Sequence, residues 1–202
     1  MAGVTATLTD SVGRRERKKQ HTRDELVSAA SRLFTERGFD ETTTADIAEA
    51  ADVSQRTFFR HFASKEAVLY GDNEEVAEAF REAILARPAD EAPLAAVAGA
   101  LQSLTAISTD DAERTMLQAQ LAARYPSVSA YSRAVVQRRL EQAIIAAVAE
   151  RMGVDPLKDP QPEIIAGATM SAVRFALRSL ATSRRPGNLL AVTAKALTSL
   201  GS

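Results

Sequence analysis

The chain has no cysteine, which excludes a disulfide framework, a thiolate zinc site, a cysteine nucleophile and an iron–sulfur cluster, and makes reducing cytoplasm its natural location. Tryptophan is also absent and aromatic residues make up only 5% of the sequence, with 9 Gly and 7 Pro. So few β-favouring aromatics argue against a barrel or sandwich, and the abundance of alanine, the best helix former, favours helices. Residues 1–9 hold no apolar stretch long enough for a signal peptide, and no window reaches the roughly eighteen apolar residues of a membrane span, so no membrane partner is expected. Net charge is −1, and residues 1–70 carry eleven Lys/Arg against eleven Asp/Glu. Overall charge therefore does not advertise nucleic acid, and any such reading rests on where the charges sit. The only histidines are His21 and His61, too few for a two-histidine metal site or a Ser-His-Asp triad in the larger C-terminal part. No Gly-x-Gly or Gly-Lys-Ser phosphate loop occurs. Glu74-Glu75 and Asp110-Asp111 fall at helix starts, where acids are favourable for plain dipole reasons. No enzyme activity, cofactor or metal is expected.

What remains is 202 residues, 46% hydrophobic and 25% charged, enough for one large domain or a small one joined to a medium one. The pattern predicts an all-α chain of about nine helices. Residues 1–20 read as a flexible basic arm ending in Arg14, Arg15, Glu16, Arg17, Lys18 and Lys19. Thr22 and Glu25 have the spacing of a capping box, which predicts a helix over 23–37 closed by Gly38. Thr43 with Asp46 forms a second box, opening a short helix with Ile47, Ala48 and Ala51 inward. Ser54 caps a third over 55–62, with Phe58 and Phe62 on one face. Ser64 then caps a long helix over 65–86 with Leu69, Val76, Phe80 and Ile84 inward. Further helices are predicted over 94–107, 111–124, 127–152, 163–183 and 188–200, separated by prolines and glycines.

Two short helices joined by a tight turn between longer ones make a helix-turn-helix, whose second helix suits the DNA major groove. Arg56 and Lys65 lie in first helical turns, where the macrodipole disfavours cations and an outside anion such as a DNA phosphate would be welcome. At Ala29-Ala30, Leu33-Phe34, Gly38-Phe39, Thr43, Ile47-Ala48, Ala51, Val53-Ser54, Thr57-Phe58-Phe59, Phe62 and Ser64-Lys65-Glu66 the sequence resembles the tetracycline-repressor (TetR) family of bacterial transcriptional regulators. The resemblance covers about residues 20–70 and implies that residues 21–67 bind double-stranded DNA. It makes Gln55, Arg56, Thr57 and Arg60 candidates for the groove, and Arg23, Thr43, Thr44, Ser54, His61 and Lys65 candidates for the duplex more generally. Phe59 departs from the family, which usually has a tyrosine there whose hydroxyl meets a phosphate; ring packing or a thymine methyl is left to it. For His61, a phosphate contact and packing against the first helix are both open.

The resemblance further implies that residues 68–202 form a helical effector-binding and dimerisation domain. Apolar stripes with small residues, Ile164, Ala168, Ala172 and Phe175, then Leu189, Thr193, Ala196, Leu197 and Leu200, suit a homodimer interface or the chain's own core. Met116, Gln120, Arg124, Tyr131, Met170 and Arg174 have the mixed character of a small-molecule pocket. Arg174 has apolar neighbours in sequence and so is expected to need an anionic partner. The Pro126 region followed by a long helix, and residues 172–178, are similar to the branch of the family with acyl-CoA-like ligands, which implies an elongated apolar pocket with Arg174 or Arg178 near an anionic group. The expected function is a homodimeric repressor of a palindromic operator, released by a small inducer, with the 65–86 helix as lever. A ligand-independent architectural DNA-binding protein is the competing reading.

Overall fold

The computed structural model describes residues 3–71, 73–104, 109–183 and 187–199, with side chains from Arg17 onward and, within 109–124, from Ala112 onward. No strand occurs among them. The chain divides into two compact units, Met1–Gly71 and Asp72–Ser202.

In the first unit, helix α1 spans Gly3–Arg37. It begins well before residue 23 and takes in the segment expected to be an aperiodic arm. The Thr22 box does not form: the Thr22 hydroxyl donates to the Lys18 carbonyl at 3.0 Å, one helical turn back. Residues 14–20 contain no proline or glycine and are mostly good helix formers, so nothing in the backbone forces a start at Thr22. The C-terminal end is as expected, with Gly38 at φ +90° beyond the last turn and its amide donating to the Phe34 carbonyl at 3.1 Å. Leu26, Ala30, Leu33 and Phe34 form the inward face.

Helix α2 (Thr44–Ala50) carries the predicted capping box on Thr43 and Asp46. A turn through Asp52 leads to α3 (Gln55–His61), capped by Ser54. Helix α4 (Lys65–Tyr70), capped by Ser64, packs on α1.

The long helix predicted over 65–86 is broken. Gly71 adopts φ +61°, the left-handed region that costs glycine least, and ends α4. Helix α5 starts afresh over Asn73–Leu85. The interruption changes the helical phase, so Val76 is 62% exposed while Asn73, Ala77, Phe80 and Ile84 face inward. An unbroken 65–86 lever is therefore not part of this fold.

The second unit continues with α6 (Pro93–Ser103), α7 (Thr109–Arg124), α8 (Pro126–Tyr131), a π-helical segment (Ser132–Gln137), α9 (Arg138–Met152), α10 (Gln161–Ala181) and α11 (Leu189–Thr198). Helix α5 packs on α6 and α9, α6 on α11, and α10 on α7, α9 and α11. Their common core includes Phe80, Ile84, Val97, Leu101, Ile144, Val148, Met170 and Leu197. Arg151 gathers the carbonyls that α5 and the following turn leave without helical partners, donating to Arg87 at 2.8 Å and to Pro88 at 2.6 Å. By length and composition α10 would suffice to cross a membrane, contrary to the sequence expectation. Its Ile165, Ala166, Thr169, Met170, Val173 and Ala176 are buried within the helical unit, which marks it as a core helix.

Candidate nucleic-acid interface

The interface is built from the starts of α2 and α3. The Thr43 hydroxyl accepts from the Asp46 amide at 3.1 Å and donates to the Asp46 carboxylate at 2.6 Å, while that carboxylate also accepts from the Thr43 amide at 2.8 Å. These bonds, the hydroxyl first and the amide second, hold the Asp46 carboxyl below its ordinary value, with Arg37 adding to the effect. Thr43→Ala should lower stability by about 1 kcal/mol. A carboxyl with a lowered pKa contributes stability above its unfolded-state value and loses it as pH falls through the folded value. The difference between Thr43→Ala and the parent chain, followed by urea unfolding, should therefore be full at pH 7 and shrink below about pH 4.

Ser54 plays the same part for α3, accepting from the Thr57 amide at 3.1 Å. The Gln55 side chain donates to the Thr44 hydroxyl at 3.1 Å and ties the two helices together. Phe58 is fully buried and anchors α3, its ring 6.1 Å from that of Phe62 and 5.3 Å, edge on, from that of Phe59. With Phe58 inward, Gln55, Arg56, Phe59 and Arg60 are exposed, Phe59 at 52%. Thr43 and Ser54 are exposed beside them, and Thr44, Thr57 and His61 are half-buried.

Two candidates are engaged inside the unit. The Arg23 guanidinium donates to the His61 carbonyl at 3.1 Å and the Gly71 carbonyl at 3.2 Å, and lies 4.3 Å over the Phe62 ring. The Lys65 ammonium donates to the Phe39 carbonyl at 2.7 Å and lies 4.3 Å over the Phe39 ring. The premise that Lys65 needs an outside anion is thus corrected, since its charge is met by a carbonyl and an aromatic face. Neither bonding pattern has a local sequence signal, since the carbonyl and ring partners of Arg23 and Lys65 are all distant in the chain.

In the second unit, Met116, Gln120 and Tyr131 are half-buried and Met170 is buried in the core. Arg124 is exposed, 5.3 Å from the Tyr125 ring. Arg174 is also exposed and donates to the Ser171 hydroxyl at 2.9 Å. The expectation that it needs an anionic partner is corrected: Ala172, Val173 and Ala176 face the core, whereas Arg174 falls on the outer arc of α10 with Phe175 and Arg178. An open groove of about 570 Å³ runs past Arg133, Arg138, Gln142 and Glu163, and none of the six pocket candidates lines it.

The expected interface stripe divides. Ile164 and Phe175 are 65% and 54% exposed, and Ala168, Leu189 and Ala196 are half-buried. Ala172, Thr193 and Leu197 are buried in the chain's own core, which removes them from any surface. The inner stripe of α11 is taken up by α6 and α10. Leu200 lies outside the described residues.

Comparison with known proteins agrees with this architecture. Residues 26–70 match the family described as bacterial regulatory proteins, tetR family, and residues 91–202 match the MftR C-terminal domain. The transcriptional regulator TcmR of Streptomyces glaucescens is 36% identical over 181 residues, covering 86% of this chain and 79% of that protein. The repressor KstR2 of Rhodococcus jostii is 43% identical over 51 residues, 25% of each chain. Among solved structures, Thermus thermophilus FadR in complex with lauroyl-CoA shares the fold at a TM-score of 0.55, with 24% identity over 88% of this chain and 92% of that one. A helix-turn-helix with its α3 face exposed, matches to the family in both units and a regulator related along most of the length lead to one assignment: the chain belongs to the TetR family of bacterial transcriptional regulators.

Proposed function

We propose that the chain is a cytoplasmic repressor that binds a palindromic operator as a homodimer and releases it when a small molecule enters the second unit. The observation that carries this reading is the exposed face of α3, with Gln55, Arg56, Phe59 and Arg60 outward on a helix pinned by buried Phe58. Arg can pair with guanine and Gln with adenine in the major groove. Thr43, Thr44, Ser54 and Thr57 flank that face and would position the duplex, while Arg23 and Lys65 would act by holding α3 and the α1–α2 turn in place. The homodimer reading is supported by Ile164 and Phe175, large apolar side chains left exposed on α10, as a partner-facing surface would be. Two recognition helices related by a two-fold axis read half-sites about 34–36 Å apart, hence the palindrome. The acyl-CoA-like effector rests on the resemblance at the Pro126 region and residues 172–178, since exposed Arg174 supplies no buried anchor for an anion.

Selection of bound sequences from a random duplex library at near-physiological salt tests the reading. An enriched palindrome is expected, and a folded dimer that enriches none would overturn sequence-specific repression in favour of general DNA coating. On the selected operator, Arg56→Ala should weaken binding by about 1–3 kcal/mol and relax discrimination at one base position, with random duplex much less affected. Titration of the complex with an acyl-CoA series, read as operator release, tests the effector class.

A further inference from the structure

Among the described residues of the first unit, one large apolar side chain is exposed, Phe59 at 52%. The ring is firmly placed. It stands edge on to buried Phe58, 5.3 Å between centroids and 86° between planes, so its orientation is set before anything binds and little rotamer freedom is lost on contact. An exposed ring of this kind, on the outward face of a helix shaped for DNA, is stabilised by an apolar partner.

Helical phase selects that partner. At about 100° per residue, Arg56 and Arg60 lie within about 20° of the direction opposite Phe58, whereas Phe59 lies about 100° round, on the flank it shares with Gln55. The Gln55 amide donates to the Thr44 hydroxyl at 3.1 Å, so this flank is the one turned toward the start of α2. A helix set with its two arginines toward the floor of the major groove therefore carries Phe59 to the foot of one groove wall. Phosphate oxygens on that wall are hydrated and gain nothing from a ring without a donor. At its foot lies the pyrimidine end of the base-pair edge, where thymine carries the one apolar substituent of the major groove, its C5 methyl.

We propose that Phe59 is a specificity-determining residue that covers the C5 methyl of one pyrimidine in each half-site, and that operator affinity therefore responds to C5 methylation of the DNA. This assignment rests on the DNA-binding reading above. What the ring recognises is the methyl group rather than the base that carries it. A 5-methylcytosine at that position serves as thymine does, whereas uracil and unmodified cytosine leave the ring uncovered. The arginines read hydrogen-bonding edges, and Phe59 adds a contact that no hydrogen bond reports.

Uracil differs from thymine only in lacking that methyl and keeps every hydrogen bond. In the selected operator, thymines are replaced by uracil one symmetry-related pair at a time, and affinity is measured for the full chain. One pair is expected to weaken binding about fourfold per half-site, about fifteenfold in all, the value of one buried methyl group. The same replacement should leave Phe59→Ala unaffected and Phe59→Leu, which keeps an apolar surface, affected in part; circular dichroism checks that both variants are folded at the temperature used. With C·G placed at that position, methylation of the cytosine at C5 should recover a similar factor in the parent chain and none in Phe59→Ala. A half-site in which no thymine-to-uracil change matters, or a uracil penalty of equal size in parent and both variants, overturns the proposal with operator binding intact. Failure to enrich any operator would instead remove the reading on which it rests.

Discussion

Phe58→Ala should cost the DNA-binding unit about 3–5 kcal/mol and abolish operator binding at 37 °C. Phe58 is fully buried on the inner side of α3, and its ring meets those of Phe59 and Phe62. Few other side chains can replace this anchor, because α3 has seven residues and Phe58 is the one buried among them. Truncation opens a cavity beneath the helix whose opposite face carries Gln55, Arg56 and Arg60. Total stabilities of about 5–15 kcal/mol leave a small unit little margin for such a loss. Urea unfolding followed by circular dichroism should show an early transition for residues 1–71, with the larger unit unfolding near its parent midpoint. Phe58→Leu keeps most of the volume and should cost about 1.5 kcal/mol or less. A loss under 1 kcal/mol for Phe58→Ala would mean that other contacts seat α3.

What was legible in the sequence was local. Thr43 with Asp46, Ser54 and Ser64 cap their helices as their sequence positions predict, because a cap is closed by an amide two or three residues away. The inward phase of α3 followed from the spacing of Phe58 and Phe62. Local signals mislead where two of them compete. Thr22 and Glu25 had box spacing, but an uninterrupted run of helix formers upstream lets the backbone pass through as helix. Gly71 lay inside an apolar stripe that looked continuous, yet its left-handed φ ended α4 and turned Val76 outward. The apolar sequence neighbours of Arg174 suggest burial, whereas helical phase puts it on the opposite side from Val173 and Ala176. The engagements of Arg23 and Lys65 lay beyond local reading altogether. Their carbonyl partners are 38, 48 and 26 residues away, at separations where only the folded chain brings groups together.

Lys65→Met should lower the stability of the same unit by about 2–3 kcal/mol and weaken operator and random duplex by a similar factor. Methionine keeps the length of the apolar stem but cannot donate. The Phe39 carbonyl loses its 2.7 Å bond and the Thr42 carbonyl a longer one at 3.4 Å, and the buried Phe39 ring loses the cation above it. Hydrogen bonds from a charged donor contribute about 1.5–3 kcal/mol, and the cation–π contact adds to this. The damage falls on the turn between α1 and α2, which delivers Thr43 to its capping position and so sets the start of α2. Displacing that turn disturbs every contact made by α2 and α3 together, which is why both kinds of duplex should suffer alike. Salt dependence separates this clamp from a phosphate contact. Loss of one neutralised phosphate per protomer would reduce the slope of log affinity against log salt by about 1, with stability little changed. The clamp predicts the reverse: a lower unfolding midpoint and an unaltered slope for whatever binding survives, measured at a temperature where the variant remains folded.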